Sequence, residues 1–273
     1  QEIRYRGFAA SPLQGTPQGL AVYMNGIRLN EAFGDTVNWD LIPTNAIQQA
    51  DVFTNNPIFG LNALGGAVNL QTKNGFNWHG FEQEISGGSY GRVQGGLQFG
   101  AESGNWSTYI AAQGMQDHGW RQKSPMTLGR FYGDIGWRDD KAEFHLFGSV
   151  ATSSFGATAA TPVEMLNRDW SSVYTTPQTT QNNTALLGLN GKYALTDSWT
   201  LQGSLYGRFF RQSHVDGNNG DFERCNNASS YANHLCLEDD GFARPVPFTG
   251  AAALAFRNQF AILDANNQPI PCP

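Results

Sequence analysis

The chain has 273 residues, a formal net charge of −6 and only 15% charged residues, so it lacks the basic balance that nucleic-acid binding favours. No run of ~18 or more apolar residues occurs, which excludes a transmembrane helix. Its 32 glycines exceed the usual share of about 7% and, with 12% aromatic residues, suggest an extended, all-β chain.

The chain opens at Gln1 without an initiator Met or a signal-peptide pattern and closes on NNQPIPCP, so a sequence incomplete at both ends is expected. Residues 1–75 carry short, irregular elements. In VYMNGIRL, Asn25-Gly26 can take the φ > 0 conformations of a type I′ turn, which predicts a hairpin. IPTNAIQQADVF predicts a short helix capped at Thr44 or Asn45, then a strand. GGAVNLQTKN predicts a last strand whose glycines permit close backbone approach. Together they form a small α/β unit.

Seven segments after residue 78 alternate with period two, one face apolar and the other polar. Phe81 and Ile85 oppose Glu82 and Glu84; Val93, Leu97 and Phe99 oppose Arg92, Gln94 and Gln98; Trp106 and Ile110 oppose Ser107 and Tyr109. Phe131, Ile135 and Trp137 oppose Arg130, Tyr132 and Asp134, and Phe144, Leu146 and Val150 oppose Glu143, His145 and Ser149. Leu187, Leu189 and Tyr193 oppose Asn190 and Lys192, and Trp199, Leu201, Leu205 and Phe209 oppose Ser204, Tyr206 and Arg208. Tight turns at Glu102–Asn105, Arg138–Asp140 and Leu195–Ser198 alternate with longer connections at Met115–Met126, Ala151–Asn183 and after Arg211; only Gly87–Gly91 is short in the second set. Short turns at one end and long loops at the other are the asymmetry of a transmembrane antiparallel β-barrel. Trp106, Trp137 and Trp199 beside the short turns, with Trp78 at the same end, read as an aromatic girdle at a lipid–water interface.

The order IRYRGF, VYMNGIRL, IPTNAIQQADVF and NNPIFGLNALGGAVNLQTK resembles the second half of the plug domain of TonB-dependent receptors. Ile3, Arg6 and Gly7 match its first element loosely, and Pro43, Ile47, Asp51 and Val52 match the helix–strand element. Pro57, Gly60, Gly65, Gly66, Val68, Asn69, Thr72 and Lys73 match the last, with TNNP in place of the usual RGP and Phe59 where Tyr is usual. The resemblance implies a barrel of ~22 strands when complete, with the plug in its lumen. Residues 1–75 would be the C-terminal part of the plug, and 76–273 the N-terminal part of the barrel. It also implies coupling to TonB through a segment upstream of Gln1.

On this reading Glu82, Glu84, Arg92, Arg130, Asp134, Glu143 and Arg208 point into the lumen and are candidates for plug–barrel contacts. Arg28, Asn30, Glu31, Phe33, Asp35 and Trp39 in the plug, with Trp120 and Trp170 in the long loops, are candidates for binding the substrate. For Phe33 and Trp39 the competing reading is plug core. Past Arg211, Cys225 and Cys236 are expected to form a disulfide in a solvated acidic loop. Metal capture by its His, Asp and Glu residues is the alternative; C-x10-C is not the spacing of a structural zinc site. No hydrolase, kinase or dinucleotide motif appears, so no enzymatic activity, cofactor or resident metal is expected. The resulting expectation is TonB-dependent, energised uptake of a scarce nutrient across a Gram-negative outer membrane. A ferric siderophore or other metal chelate leads, with oligosaccharide or cobalamin open. Partners would be outer-membrane lipid, TonB and the small-molecule ligand. A passive porin and a secreted β-rich adhesin or lectin are the rivals.

Overall fold

The computed structural model describes residues 2–13, 15–54, 60, 62–156, 159–217, 222–225, 233–237, 266 and 268–271. The chain divides into Gln1–Asp216 and Gly217–Pro273.

The first unit opens with a hairpin of β1 (Ile3–Tyr5) and β2 (Phe8–Ala10). A second hairpin joins β3 (Leu20–Met24) to β4 (Ile27–Arg28) through Asn25 (φ 51°) and Gly26 (φ 82°), the left-handed pair that a two-residue hairpin turn needs. With β5 (Ile47–Phe53) and β6 (Gly66–Thr72) they form a four-stranded sheet in the order β4-β3-β6-β5, in which β3 and β6 run parallel. Gly66 has φ 149°, and a Cβ there would stand 2.6 Å from the Phe53 carbonyl oxygen; its missing side chain permits the β5–β6 approach. Leu20, Val22, Met24, Ile27, Val37, Trp39, Ile42 and Val68 form a dry core.

The expected helix at Thr44 or Asn45 is a single 3-10 turn, Thr44–Ala46, with no side-chain cap. Both side chains are used elsewhere: Thr44 donates to Gln113 Oε1 (3.1 Å), and Asn45 to the carbonyls of Ala112 (3.1 Å) and Leu97 (3.3 Å).

Seven strands then form one antiparallel meander. These are β7 (Gly80–Gly88), β8 (Arg92–Ser103), β9 (Trp106–Asp117), β10 (Met126–Arg138), β11 (Ala142–Gly156), β12 (Gln178–Thr196) and β13 (Trp199–Asp216). All seven expected segments are strands, and the sheet is open at β7 and β13. Its apolar face is bare: Phe81, Ile85, Phe131, Ile135, Leu146, Leu189, Leu205 and Phe209 are exposed. Its polar face is covered in part by the plug, which buries Tyr109, Tyr132, Asp134 and Asn182. A soluble protein would bury the first face and wet the second, so the inversion marks a sheet whose outer solvent is lipid.

Strand ends reach farther than the alternation suggests. The connections expected at Met115–Met126 and Ala151–Asn183 shrink to residues 118–125 and 157–177, and β13 continues past Arg211. Beyond the apolar band both faces are polar, as at Thr152 and Ser153 or Asn182 and Asn183, so period two no longer shows in the residue types. A four-residue helix, Val163–Leu166, lies in the 157–177 connection.

Trp106 faces Trp137 across β9 and β10, and Trp137 stacks on Phe144 at 6.1 Å. Along the same pairing row stand Gly191 and Gly203; Trp199 lies off that row and, like Trp106, begins its strand directly after the turn. Trp78 departs from the girdle. It packs edge-on against the lumen-facing Tyr109 at 5.6 Å and beneath the Lys73 ammonium at 5.5 Å, because the segment leaving the plug turns it inward.

In the second unit β14 (Phe222–Arg224) pairs with β15 (Leu235–Leu237), and Cys225 and Cys236 form a disulfide. Asp221, Glu238, Asp239, Asp240 and Cys272 lie outside the described residues, as do Pro57 and Phe59 of the plug motif.

Candidate functional site

The seam between the plug and the barrel wall is an extended polar assembly. Arg130, on β10, donates from Nε to the Asp40 carbonyl (2.6 Å) and from Nη1 to Thr44 Oγ1 (3.1 Å) and Gln113 Oε1 (2.9 Å). Ser153 donates to the Asp40 carboxylate. Arg208, on β13, pairs with the Glu31 carboxylate. Both arginines meet the plug from neighbouring heights of the lumen face, as charge-assisted contacts that fix position as well as energy.

A second group lies toward the short-turn end. Tyr132 Oη and Thr72 Oγ1 are 2.7 Å apart, and Asn25 Nδ2 donates to both (3.3 and 2.8 Å). Asn190 donates to the Asn25 carbonyl at 3.0 Å. Lys73 Nζ donates to Gln98 Oε1 (2.9 Å), which also receives the Tyr109 hydroxyl (2.7 Å). Between the polar contacts the wall also meets the plug core through apolar side chains: Phe147 and Leu186, buried on the lumen face, join it. Gly188 makes room for it, since a Cβ there would stand 2.5 Å from Phe147 Cζ and 2.9 Å from Ile27 Cδ1.

Five of the seven expected wall contacts make no hydrogen bond or ion pair with the plug among the described residues. Asp134 bonds His145 Nδ1 at 3.0 Å; Glu143 bonds His145 Nε2 and Lys192, each at 3.0 Å. Arg92 stands 3.9 Å from Asp117. Glu82 and Glu84 line a small cavity beside Asn45, Gln94 and Gln113. Alternation gives the face of a strand residue but not its height, and the plug touches only part of the wall. The contacts of Asp40, Asn45, Thr72, Tyr132, Asn190 and Phe147 were not singled out from sequence. The NG turn and the paired Tyr109 and Tyr132 on a lumen face were the available signals.

The candidates for binding the substrate divide. Asn30 is buried and spans the plug interior, accepting from Val22 N–H at 2.8 Å and donating to the Leu20 carbonyl at 3.0 Å. Trp39 is 9% exposed and donates Nε1–H to the Ala10 carbonyl at 2.8 Å, so it is plug core. Arg28 pairs with Asp35 at 2.7 Å, and Asn62 also reaches that carboxylate; Glu31 is held by Arg208. Phe33 is 78% exposed, Trp120 52% and Trp170 73%.

The two loops bearing the indoles are joined. Gln122 N–H donates to the Ser171 carbonyl (2.9 Å), and Arg121 donates to the carbonyls of Ala159 (3.1 Å) and Ser172 (3.3 Å) and to Thr161. Asp169, bonded by the Ser171 amide and hydroxyl and by Gln122, has its carboxyl held below the usual range.

Two cavities lie along the seam, one by Asn45, Glu84 and Gln113 and one by Leu29, Ile42, Leu186 and Arg208; each holds about 30 Å³, room for single waters and too little for a nutrient.

Residues 1–67 match the TonB-dependent Receptor Plug Domain. No characterised protein matches the chain by sequence. Among solved structures it is similar to the Pseudomonas aeruginosa pyoverdine receptor FpvA bound to pyoverdine, with TM-score 0.64 and 14% identity over 86% of this chain and 35% of that one. It is similar to the Escherichia coli ferric-catecholate import receptor Fiu in its open form, with TM-score 0.63 and 15% identity over 87% and 38%. It is also similar to the Acinetobacter baumannii siderophore receptor PiuA, with TM-score 0.61 and 14% identity over 79% and 31%. The chain thus spans about a third of the length of these structures.

Proposed function

We propose that this chain is the C-terminal part of the plug and the first barrel strands of a TonB-dependent outer-membrane receptor, and that the whole protein carries out energised uptake of a ferric siderophore or another metal chelate. The observation that carries this reading is the closed seam. Arg130, Arg208, Tyr132 and Lys73 tie the plug to the wall, and two cavities along the seam are water-sized. A ligand passing this wall requires the plug to shift or partly unfold. Ligand binding shifts an equilibrium only by its differential affinity for two states, so directional passage needs external work, supplied in this family by TonB. The similar structures, receptors for pyoverdine, for ferric catecholates and for a siderophore, support the ligand class. Phe33, Trp120 and Trp170 are the exposed faces offered to it, on the plug and on two loops clasped by Arg121.

The test is uptake of labelled ferric siderophores, with cobalamin and oligosaccharides in parallel, by cells producing the full-length protein with and without TonB. Surface binding in both strains with accumulation only where TonB is intact is the expected result. Equal accumulation would replace the reading with passive diffusion; accumulation of a sugar alone would replace the ligand class.

A further inference from the structure

The plug meets the wall through two different kinds of contact. Up to Lys73 it is tied chiefly by hydrogen bonds and ion pairs, whose partners water can replace. Beyond Lys73 the segment that joins β6 to β7, residues 74–79, is seated in the wall itself. Its backbone closes into a turn of its own. Asn74 Oδ1 accepts from the Phe76 and Asn77 amides (2.9 and 3.1 Å), and Asn77 Oδ1 accepts from the Asn74 amide (2.9 Å). The Trp78 amide donates to the Asn74 carbonyl at 3.0 Å.

The wall lacks side chains where this turn arrives. One pairing row of the lumen face across β8–β11 reads Glu102, Ser107, Gly136, His145; the next reads Gly100, Tyr109, Asp134, Phe147. Gly136 and Gly100 are the notches in the two rows. Phe76 fills the first: a Cβ on Gly136 would stand 2.6 Å from Phe76 Cε2. The Phe76 ring meets His145 edge-on at 5.8 Å and carries the Arg138 guanidinium at 4.1 Å from its centroid. Trp78 fills the second: a Cβ on Gly100 would collide with the Trp78 carbonyl oxygen and stand 2.9 Å from Trp78 Cε3. Gly75 lies flat on the β8–β9 ladder, where its own Cβ would stand 2.6 Å from the Ala101 carbonyl oxygen and 2.5 Å from the Thr108 nitrogen. Glu102 closes the rim, pairing with Arg138 and His79, each at 3.2 Å.

We propose that residues 74–79 belong mechanically to the barrel: a pin that stays seated while the plug moves, so that the plug pivots about Lys73 instead of leaving the lumen as one rigid body. A seam hydrogen bond that opens is exchanged for one to water. A ring withdrawn from a glycine notch exposes apolar surface that water does not compensate. The two kinds of contact therefore part at different loads, and the polar one yields first. Lys73 sits on the boundary. Its Nζ donates to the Asn45 carbonyl on the plug side (3.0 Å) and to Gln98 Oε1 on the wall side (2.9 Å). The inference rests on the plug lying against the wall, not on the transported ligand, so the uptake test and the following one fail independently.

The experiment is native-state amide exchange of the full-length receptor in detergent micelles, in rising sub-denaturing urea, resolved to single amides by fragmentation in the mass spectrometer. The β3, β5 and β6 amides are expected to exchange through one common opening, while the Asn77 and Trp78 amides stay protected with β8 and β9. Exchange of Asn77 and Trp78 together with β6 overturns the proposal. Gly136→Val fills the first notch and is expected to release Asn77 and Trp78 to the rate of β6, with the β8 and β9 amides unchanged. Phe76→Ala adds nothing to the wall and serves should Gly136→Val fail to assemble. It is expected to speed exchange at both amides about tenfold, the size of one aromatic or cation–π contact. Unchanged exchange at Asn77 and Trp78 in Phe76→Ala would mean that the turn holds itself without the wall, and also overturns the proposal.

Discussion

The plug and the barrel sheet sit in one compact unit and obey opposite burial rules. In the plug, Val22, Ile27 and Val68 are inside, and the buried Asn30 is satisfied by the backbone of Val22 and Leu20. In the sheet, Ile135, Leu189 and Leu205 are outside, while Arg130, Asp134 and Asn182 are buried. The same two solvation terms act in both: apolar surface leaves water, and buried polar groups find partners. What differs is the medium on the outer side. Because the sheet can shed apolar surface into lipid, its inner face is free to be polar, and that polar face holds the plug by hydrogen bonds. A seam built this way is strong while dry and exchangeable once wetted.

The comparison breaks first at the plug core. Val22→Asp places a carboxylate without a partner among Leu20, Ile27 and Val68, a change expected to exceed ~4 kcal/mol. The expected outcome is loss of hydrogen-exchange protection over residues 20–72 while the barrel keeps its heat-modifiable migration on gels. Loss of both would mean that plug and wall fold as one unit and the division is wrong.

The sheet has the converse test. Ile135→Arg puts a charge on the lipid face and is expected to cost about 2–4 kcal/mol. Denaturant unfolding of the full-length protein in phosphatidylcholine vesicles should show the barrel midpoint falling, with plug protection intact in the folded fraction. An unchanged midpoint would mean that Ile135 does not face lipid.

The seam should yield smaller effects. Arg130→Ala strands the Asp40 carbonyl and removes a charged donor, about 1.5–3 kcal/mol. Tyr132→Phe removes one hydroxyl from Thr72 and Asn25, about 0.5–1.5 kcal/mol. Both are read as faster amide exchange at residues 40–47 or 70–73 respectively, with the barrel midpoint unmoved. If Tyr132→Phe loosens the plug more than Arg130→Ala, the short-turn end is the principal anchor.

The sequence by itself determined the seven strands, the face of each strand residue and the Asn25-Gly26 hairpin, because period-two alternation and positive-φ turns are local properties of the backbone. It identified the plug from motif order, and it identified Cys225 and Cys236 as partners from their loop. Tertiary structure alone decided which wall residues meet the plug. Glu82, Glu84, Arg92, Asp134 and Glu143 share a face with Arg130 and Arg208, yet among the described residues only the two arginines of this set hydrogen-bond the plug, because height along a strand and the plug's position are set by non-local packing. The same packing turned Trp78 inward, placed Trp39 and Asn30 in the plug interior, and converted an expected helix into one turn whose Thr44 and Asn45 bond the wall. A side chain's partner lies up to 177 positions away in the chain, as for Glu31 and Arg208, and no local pattern encodes that distance.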